Sequence, residues 1–198
     1  MKGYYKLRGK ALEILGTQLP DKLYYHSIEH TMEVLKHCNY RIKREKIPVR
    51  EAKVLRLGAL LHDIGFTVSN VNHEEKGSQI AEALMKEFGL GLKEIRLVQG
   101  LIMATRIPQS PKNRLERILC DSDLDYLGRA DFYQVSDLLY KELKCYDMVH
   151  SKLEWNKIQI KFLESHRYHT DFSIRNRQPG KRKRIVELKN SVELPKKN

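Results

Sequence analysis

Apolar residues recur at intervals of three and four along almost the whole chain, and this periodicity limits the fold more than any other feature. Residues 5–18, 28–45, 130–145 and 151–165 all show it. No window alternates between apolar and polar residues as a half-buried strand would. We therefore predict an all-α protein, with one compact helical domain over residues 1–172.

Residues that start or end helices divide this pattern into separate elements. Pro20 interrupts the chain after the first helix, and Ser27 is a candidate N-cap for the second. Pro48 suits the first turn of a third helix, and Gly65 and Gly89 suit the ends of the third and fourth. Further helices are thus predicted over residues 48–65, 73–88, 92–104 and 112–119.

The composition is that of a globular protein. With 198 residues, 41% of them hydrophobic and 31% charged, the chain is long enough to bury a core. The apolar runs are too short to span a membrane, and residues 1–6 contain no apolar segment typical of a secretory signal. Three widely spaced cysteines predict neither a disulfide framework nor a cysteine-based zinc site. We therefore expect a cytoplasmic protein.

Positive charge is concentrated at the C-terminal end. The chain has 37 Lys and Arg against 25 Asp and Glu, a net charge of +12. Residues 175–198 hold nine of the cations and two of the acids, which leaves +7 in that segment. We predict a less ordered basic C-terminal extension over residues 173–198. It either aids solubility or favours anionic partners such as phosphate esters, nucleotides or nucleic acid.

Two pairs of potential metal ligands stand out. His26 and His30 are four residues apart, a spacing that places both on one face of a helix if His26 is helical. His62 and Asp63 directly follow a run of aliphatic residues, where polar groups are costly unless something binds them. Imidazole and carboxylate groups both suit a divalent metal ion. Taken singly, each is more often a surface residue or a satisfied core residue.

A third feature is a run of carboxylates at alternate positions, Asp121, Asp123 and Asp125. At least one of them could complete a metal site, although such clusters more often cap helices or line loops. The glycine and glutamate that a calcium-binding EF-hand loop requires downstream are missing. It is the order of all three features on a helical chain that is unusual.

That order resembles the HD-domain superfamily of metal-dependent phosphohydrolases, in which a His, a His-Asp pair and a later Asp lie on helices. His30 matches the first His, His62 and Asp63 the pair, and Asp123 the last Asp. The resemblance covers residues 24–128, and residues 150–172 are similar to the closing helix of small stand-alone members.

The resemblance implies a ligand set of His30, His62, Asp63 and Asp123 for one tightly bound divalent ion. Mn, Fe, Co, Ni, Zn and Mg fit equally well. Asp121 is the alternative last ligand, or it orients a ligand histidine. Members with two metals carry a further histidine where this chain has Ala104, which favours one ion. A second, weaker ion bridged by Asp63 and water remains an alternative.

Five further residues are predicted to act on a substrate. His26 matches the general acid of related cyclic-nucleotide phosphodiesterases, and Glu74 is a weaker candidate for positioning water. His73 has three interpretations: a phosphate contact, a water-mediated ligand, or only the first residue of a helix. Arg106 and Arg129 are candidate phosphate-binding residues, and the alternative for both is a solvated surface charge.

The predicted function is hydrolysis of a phosphate monoester, nucleotide or phosphodiester by metal-activated water. One alternative is a nucleic-acid-associated binding protein with a structural metal site and a functional basic tail. Another is a metal-loaded regulatory domain without turnover. Deleting the tail separates the first two, since only a nucleic-acid binder should lose salt-dependent affinity. Substrate, metal and oligomeric state stay open.

Overall fold

The computed structural model describes residues 3–193, and all regular structure within them is helical. This confirms the predicted all-α class. Two short 3₁₀ turns, Ile64–Thr67 and Asp125–Gly128, accompany the α-helices. The α-helices are α1 (Tyr4–Gln18), α2 (Ile28–Arg44), α3 (Val49–Leu61), α4 (His73–Glu87), α5 (Leu92–Ala104), α6 (Arg114–Asp123), α7 (Phe132–Cys145), α8 (Lys152–Ser165), α9 (Asp171–Asn176) and α10 (Gln178–Glu193).

The chain groups into two units that divide between Asp123 and Leu124. The first unit contains α1 to α6, and its centre is α3, which contacts α1, α2, α5 and α6. Eight of the 13 residues of α3 are buried. A helix enclosed on several sides must be apolar around most of its circumference, as this one is. Its buried C-terminal end carries His62 and Asp63 into the interior.

Most predicted boundaries in the first unit agree with the structure. Ser27 caps α2, where its Oγ accepts a hydrogen bond from the backbone N–H of His30 at 3.4 Å. Pro48 is the N-cap of α3, and Gly89 follows α4 with a φ of +71°. The helix predicted over 112–119 extends instead to Asp123. Its last turn stays helical because Cys120, Asp121 and Ser122 are all buried there.

The second unit contains α7 to α10, and α10 packs on α8 and on the 3₁₀ turn Asp125–Gly128. Backbones approach closely at that contact. A Cβ atom added to Gly180 would lie 2.1 Å from the carbonyl oxygen of Gly128. A larger residue at position 180 would therefore push the first turn of α10 away from the 3₁₀ turn.

The expectation of weak order after about residue 172 is wrong for the described part of that segment. Residues 178–193 form α10, with Leu188 only 3% exposed and Lys181 only 2% exposed. The sequence prediction missed an apolar face of this helix, where Ile185 and Leu188 lie three residues apart on one side. The high net charge of the segment masked this face. Residues 194–198 lie outside the described residues, and a domain boundary after residue 172 stays a prediction.

Several cations of this segment make internal contacts. Arg177 Nε donates a hydrogen bond to Asp125 Oδ1 at 2.9 Å, and Arg184 pairs with Glu187 at 2.7 Å. The Lys181 ammonium donates to the carbonyl oxygen of His166. These contacts leave three of the cations less available to an anionic partner such as nucleic acid. No helix in residues 3–193 has the length and apolar character to cross a membrane.

Candidate metal centre

The centre of the first unit brings three predicted ligands together from three different helices. His30 lies in the first turn of α2, His62 directly after α3, and Asp123 at the end of α6. His30 Nε2 lies 3.3 Å from His62 Nε2 and 3.1 Å from Asp123 Oδ1. One ligand atom from each residue lies within 4.8 Å of the other two, as a shared ion requires.

A backbone hydrogen bond orients the His62 imidazole. Its Nδ1 lies 2.9 Å from the carbonyl oxygen of Ala59, and a carbonyl oxygen can only accept, so Nδ1 carries the proton. The lone pair of neutral His62 is therefore on Nε2, the atom that faces His30. Metal-binding histidines are commonly held in this way by their other ring nitrogen.

Asp63 adds a second carboxylate beside the same nitrogens. Its Oδ2 lies 3.1 Å from His62 Nε2 and 3.6 Å from His30 Nε2. That oxygen is buried and accepts no hydrogen bond. A lone pair on His62 Nε2 and a carboxylate oxygen repel each other at this distance unless a proton or a cation lies between them. The arrangement therefore requires a positive charge between these groups, either a proton on His62 or a bound cation.

The pKa values of His62 and Asp123 also show that this site favours positive charge. Burial lowers the pKa of His62, but the charges of Asp63 and Asp123 and a hydrogen bond with Asp123 outweigh it and raise that pKa well above 6.5. Burial raises the pKa of Asp123, but hydrogen bonds with His30 and His62 and their charges lower it to about 2. The carboxylates are thus ionised, as metal ligands must be.

These residues fit a divalent metal ion. They supply two imidazole nitrogens and two carboxylates, a mixed set that suits borderline and hard cations. Asp63 Oδ2 is buried without a hydrogen bond, and a bound ion would supply the partner that this oxygen lacks. The assignment of His30, His62, Asp63 and Asp123 as ligands remains our proposal.

Two further histidines lie on one side of this cluster. His26 precedes the N-cap of α2, so it is not helical, and its ring centroid lies 6.3 Å from that of His30. His73 begins α4, and its Nε2 lies 3.7 Å from Asp63 Oδ1. Burial lowers the pKa of His73 despite the opposing charges of Asp63 and Glu74.

The contact between the 3₁₀ turn Ile64–Thr67 and α4 depends on a glycine. A Cβ atom added to Gly65 would lie 1.8 Å from the carbonyl oxygen of His73. A Cβ atom added to Gly77, one turn further along α4, would lie 3.2 Å from the backbone nitrogen of Gly65. Two glycines therefore allow the turn that follows Asp63 to touch the first turns of α4, which brings His73 beside Asp63.

Glu74 and Arg106 are also near the cluster, but each already has a partner. Glu74 is 7% exposed, and its Oε1 lies 3.5 Å from His73 Nε2. Arg106 lies 3.5 Å from Glu74 Oε2 and 3.0 Å from Glu75 Oε1. A phosphate would compete with two carboxylates for this guanidinium. Phosphate binding by Arg106 stays a prediction.

Asp121 and Arg129 also lie outside the cluster of His30, His62 and Asp123. Asp121 is buried on α6, but the group of ligand atoms within 4.8 Å contains Asp123 and not Asp121. Arg129 belongs to the second unit, where it pairs with Asp131 and lies 3.9 Å from Asp125. The roles suggested for them, orientation of a histidine and phosphate binding, stay predictions.

Sequence reasoning did not single out Phe66. This residue follows Gly65, is 6% exposed, and stacks on the rings of both His26 and His73. Its position beside the His-Asp pair was the only available signal, because stacking between distant segments leaves no trace in local periodicity.

The fold and the histidine–aspartate cluster define an all-helical protein with a candidate metal centre. A family model described as HD domain matches residues 27–126, just over half of the chain. The chain therefore belongs to the HD domain family. The matched region contains all four predicted ligands.

A solved structure gives the same fold. It is the crystal structure of a predicted HD superfamily hydrolase from an uncultured Thermotogales bacterium, with a TM-score of 0.58 and 21% sequence identity. The match covers 93% of this chain and 88% of that chain. At this identity the similarity is one of fold alone. A comparison with curated proteins gives no match.

Proposed function

We propose that this protein is a metal-dependent phosphohydrolase that acts on a phosphate monoester, a nucleotide or a phosphodiester. One observation carries the proposal. Ligand atoms of His30, His62 and Asp123 lie within 4.8 Å of one another, beside a buried Asp63 oxygen that accepts no hydrogen bond. Membership of the HD domain family and the name of the Thermotogales relative, a predicted hydrolase, support the same chemistry.

His30, His62, Asp63 and Asp123 would hold the ion. A divalent ion bound there supplies positive charge to phosphate oxygens and lowers the pKa of a nucleophilic water. The hydrogen bond from His62 Nδ1 to Ala59 keeps Nε2 directed at the site. His62 is fully buried and the side chains of His30, Asp63 and Asp123 are largely buried, which strengthens the electrostatic interactions among them.

His26 is the proposed general acid. The reaction releases an alkoxide oxygen, and a protonated imidazole can donate a proton to it. The ring lies beside the cluster rather than within it, with its centroid 6.3 Å from that of His30. His73 is the proposed contact of a phosphate oxygen, and its Nε2 lies 3.7 Å from Asp63 Oδ1.

Glu74 is the proposed water-positioning residue. Its carboxylate is fixed between His73 at 3.5 Å and Arg106 at 3.5 Å. Arg106 then has two roles in this scheme: it holds Glu74 in place and presents positive charge at the rim of the site.

A substrate screen on metal-defined protein tests the proposal. The protein is stripped with a chelator and reloaded separately with Mn²⁺, Co²⁺, Zn²⁺ and Mg²⁺, then assayed on phosphate monoesters, nucleotides and phosphodiesters. We expect turnover of at least one class that requires the ion and is lost in Asp63→Asn. Asp137→Asn is the matched control, because Asp137 is an exposed partner of Lys152. Turnover that is independent of metal, or unchanged in Asp63→Asn, contradicts the proposal.

A further inference from the structure

Phe66 lies outside the predicted ligands and the predicted substrate-binding residues, yet it contacts two of the histidines. Its ring centroid lies 4.1 Å from that of His26 and 4.0 Å from that of His73. Both pairs are stacked, with 24° between the ring planes. The two histidine rings lie 6.2 Å apart, so the phenyl ring touches both at once.

The backbone holds Phe66 firmly. It belongs to the 3₁₀ turn Ile64–Thr67, its N–H bonds to the carbonyl oxygen of Asp63 at 3.0 Å, and its side chain is 6% exposed. The close approach of Gly65 to His73 fixes that turn against α4. A side chain that is buried on a fixed turn has few rotamers available, so its ring is a rigid surface for its neighbours.

His26 and His73 both lie where the backbone restricts a side chain less than it does inside a helix. His26 lies between helices, in a bend before the N-cap of α2, and His73 is the first residue of α4. Neither has a helical turn of backbone on both sides to restrict it. Catalytic groups lose rate steeply when their orientation drifts, so residues that lock their rotamers matter.

We propose that Phe66 is a positioning residue: its ring holds the imidazoles of His26 and His73 in orientation on the side of the site next to Asp63. The inference rests on the proposed function, because it assigns Phe66 a role in proton donation by His26 and phosphate contact by His73. Phe66 itself carries no proton and no charge, so it acts only through these two rings.

The first test reads ring geometry without any assay of turnover. Protons that lie over the face of a phenyl ring shift upfield in NMR spectra. In zinc-loaded protein, Phe66→Leu should move the carbon-bound ring protons of His26 and His73 downfield. His150, an exposed residue of the second unit, should not move. Phe66→Met is the second variant, since it removes the ring while it keeps most of the volume.

The second test measures whether Phe66 affects catalysis. On a phosphate ester with a poor leaving group, kcat of Phe66→Leu should fall by about 10- to 100-fold, with less effect on a nitrophenyl ester. Phe66→Tyr, which keeps an aromatic ring, should restore most of the rate. Phe88→Leu is the matched control: Phe88 also packs on the core of the first unit, but at the other end of α4. It should leave kcat and metal content unchanged.

The results distinguish the positioning role of Phe66 from the proposed phosphohydrolase function. If the histidine ring protons of Phe66→Leu and Phe66→Met do not move, the positioning role is wrong whatever the activity. If they move but kcat falls no further than in Phe88→Leu, the role is also wrong. If wild-type protein hydrolyses no phosphate ester, the proposed function fails, and a crystal structure of Phe66→Leu then decides whether the two imidazole rings turn when the phenyl ring is removed.

Discussion

His62 donates a hydrogen bond from Nδ1 to the backbone carbonyl oxygen of Ala59 at 2.9 Å, within the last turn of α3. Because the acceptor is backbone, the orientation of this imidazole depends on the helix rather than on another side chain. Nε2 consequently faces His30 at 3.3 Å. The helix backbone therefore sets which atom of His62 faces the candidate centre.

Replacement of His26 separates metal binding from proton donation. His26→Ala should keep the metal, because His26 lies outside the four proposed ligands. Turnover of a substrate with a poor leaving group should fall by about 10²–10⁴-fold, the range for loss of general acid catalysis. The loss should shrink for a nitrophenyl ester, whose oxygen departs without a proton. Metal per chain and kcat on both substrates are the measurements.

Two outcomes would revise the role of His26. Loss of the metal in His26→Ala would make His26 a ligand. Full activity on the poor leaving group would leave proton donation to another group, with His73 the nearest candidate.

Gly65 should tolerate no side chain. In Gly65→Ala the added carbon would lie 1.8 Å from the carbonyl oxygen of His73, so the 3₁₀ turn and α4 must separate. Forced overpacking of this kind costs about 1–3 kcal/mol of unfolding free energy. Gly9→Ala is the control: no atom lies within 4 Å of the added carbon, and Gly9 is exposed inside α1. It should stabilise by about 0.4–1 kcal/mol. Chemical denaturation measures both, and equal effects would contradict the packing argument.

The helices of the first unit were largely predictable because their boundaries depend on local chemistry. Ser27, Pro48 and Gly89 act within a turn of their own position, and apolar spacing is a property of each helix alone. The ligand set could be predicted only by resemblance. Nothing in the spacing of His30, His62 and Asp123 shows that three helices bring them within 4.8 Å.

The sequence did not reveal some features, because they depend on tertiary contacts or because basic residues concealed an apolar face. Phe66 meets His26 and His73 only after α2 and α4 are in place. Arg106 pairs with carboxylates of α4, which its own neighbours in sequence do not reveal. In α10, four consecutive basic residues beginning at Lys181 led to the prediction of weak order, although the apolar face of the helix buries Leu188.

The burial of α10 predicts that its apolar face stabilises the second unit. Leu188→Ala should lower the free energy of unfolding by about 2–5 kcal/mol, as expected for a buried leucine. Val186→Ala is the control on the same helix, since Val186 is 57% exposed, and it should change stability by no more than about 0.5 kcal/mol. Thermal and urea unfolding of the full chain measure both variants. Equal, small effects would show that α10 contributes little.

Lys181 predicts a pH dependence of stability. Burial, with a smaller contribution from Arg182 and Arg167, lowers the pKa of Lys181 from 10.5 to about 8. Between these values the unfolded chain holds the proton and the folded chain does not, so stability rises as pH increases from about 8 to 10.5. Below pH 8 both states are protonated and the cost of burying the charge is constant.

The difference in unfolding free energy between wild type and Lys181→Met isolates this effect, because other titrating groups are common to both. We expect wild type to gain stability relative to Lys181→Met between pH 8 and 10.5. A constant difference over that range would show that Lys181 has an ordinary pKa.

Anomalous diffraction from crystals of manganese- or zinc-loaded protein tests the central assignment most directly. The account predicts one strong peak in contact with His30 Nε2, His62 Nε2 and carboxylate oxygens of Asp63 and Asp123, and no such peak in crystals of Asp63→Asn. A peak that excludes His62 or Asp123, or no peak near the four side chains at saturating metal, would contradict it.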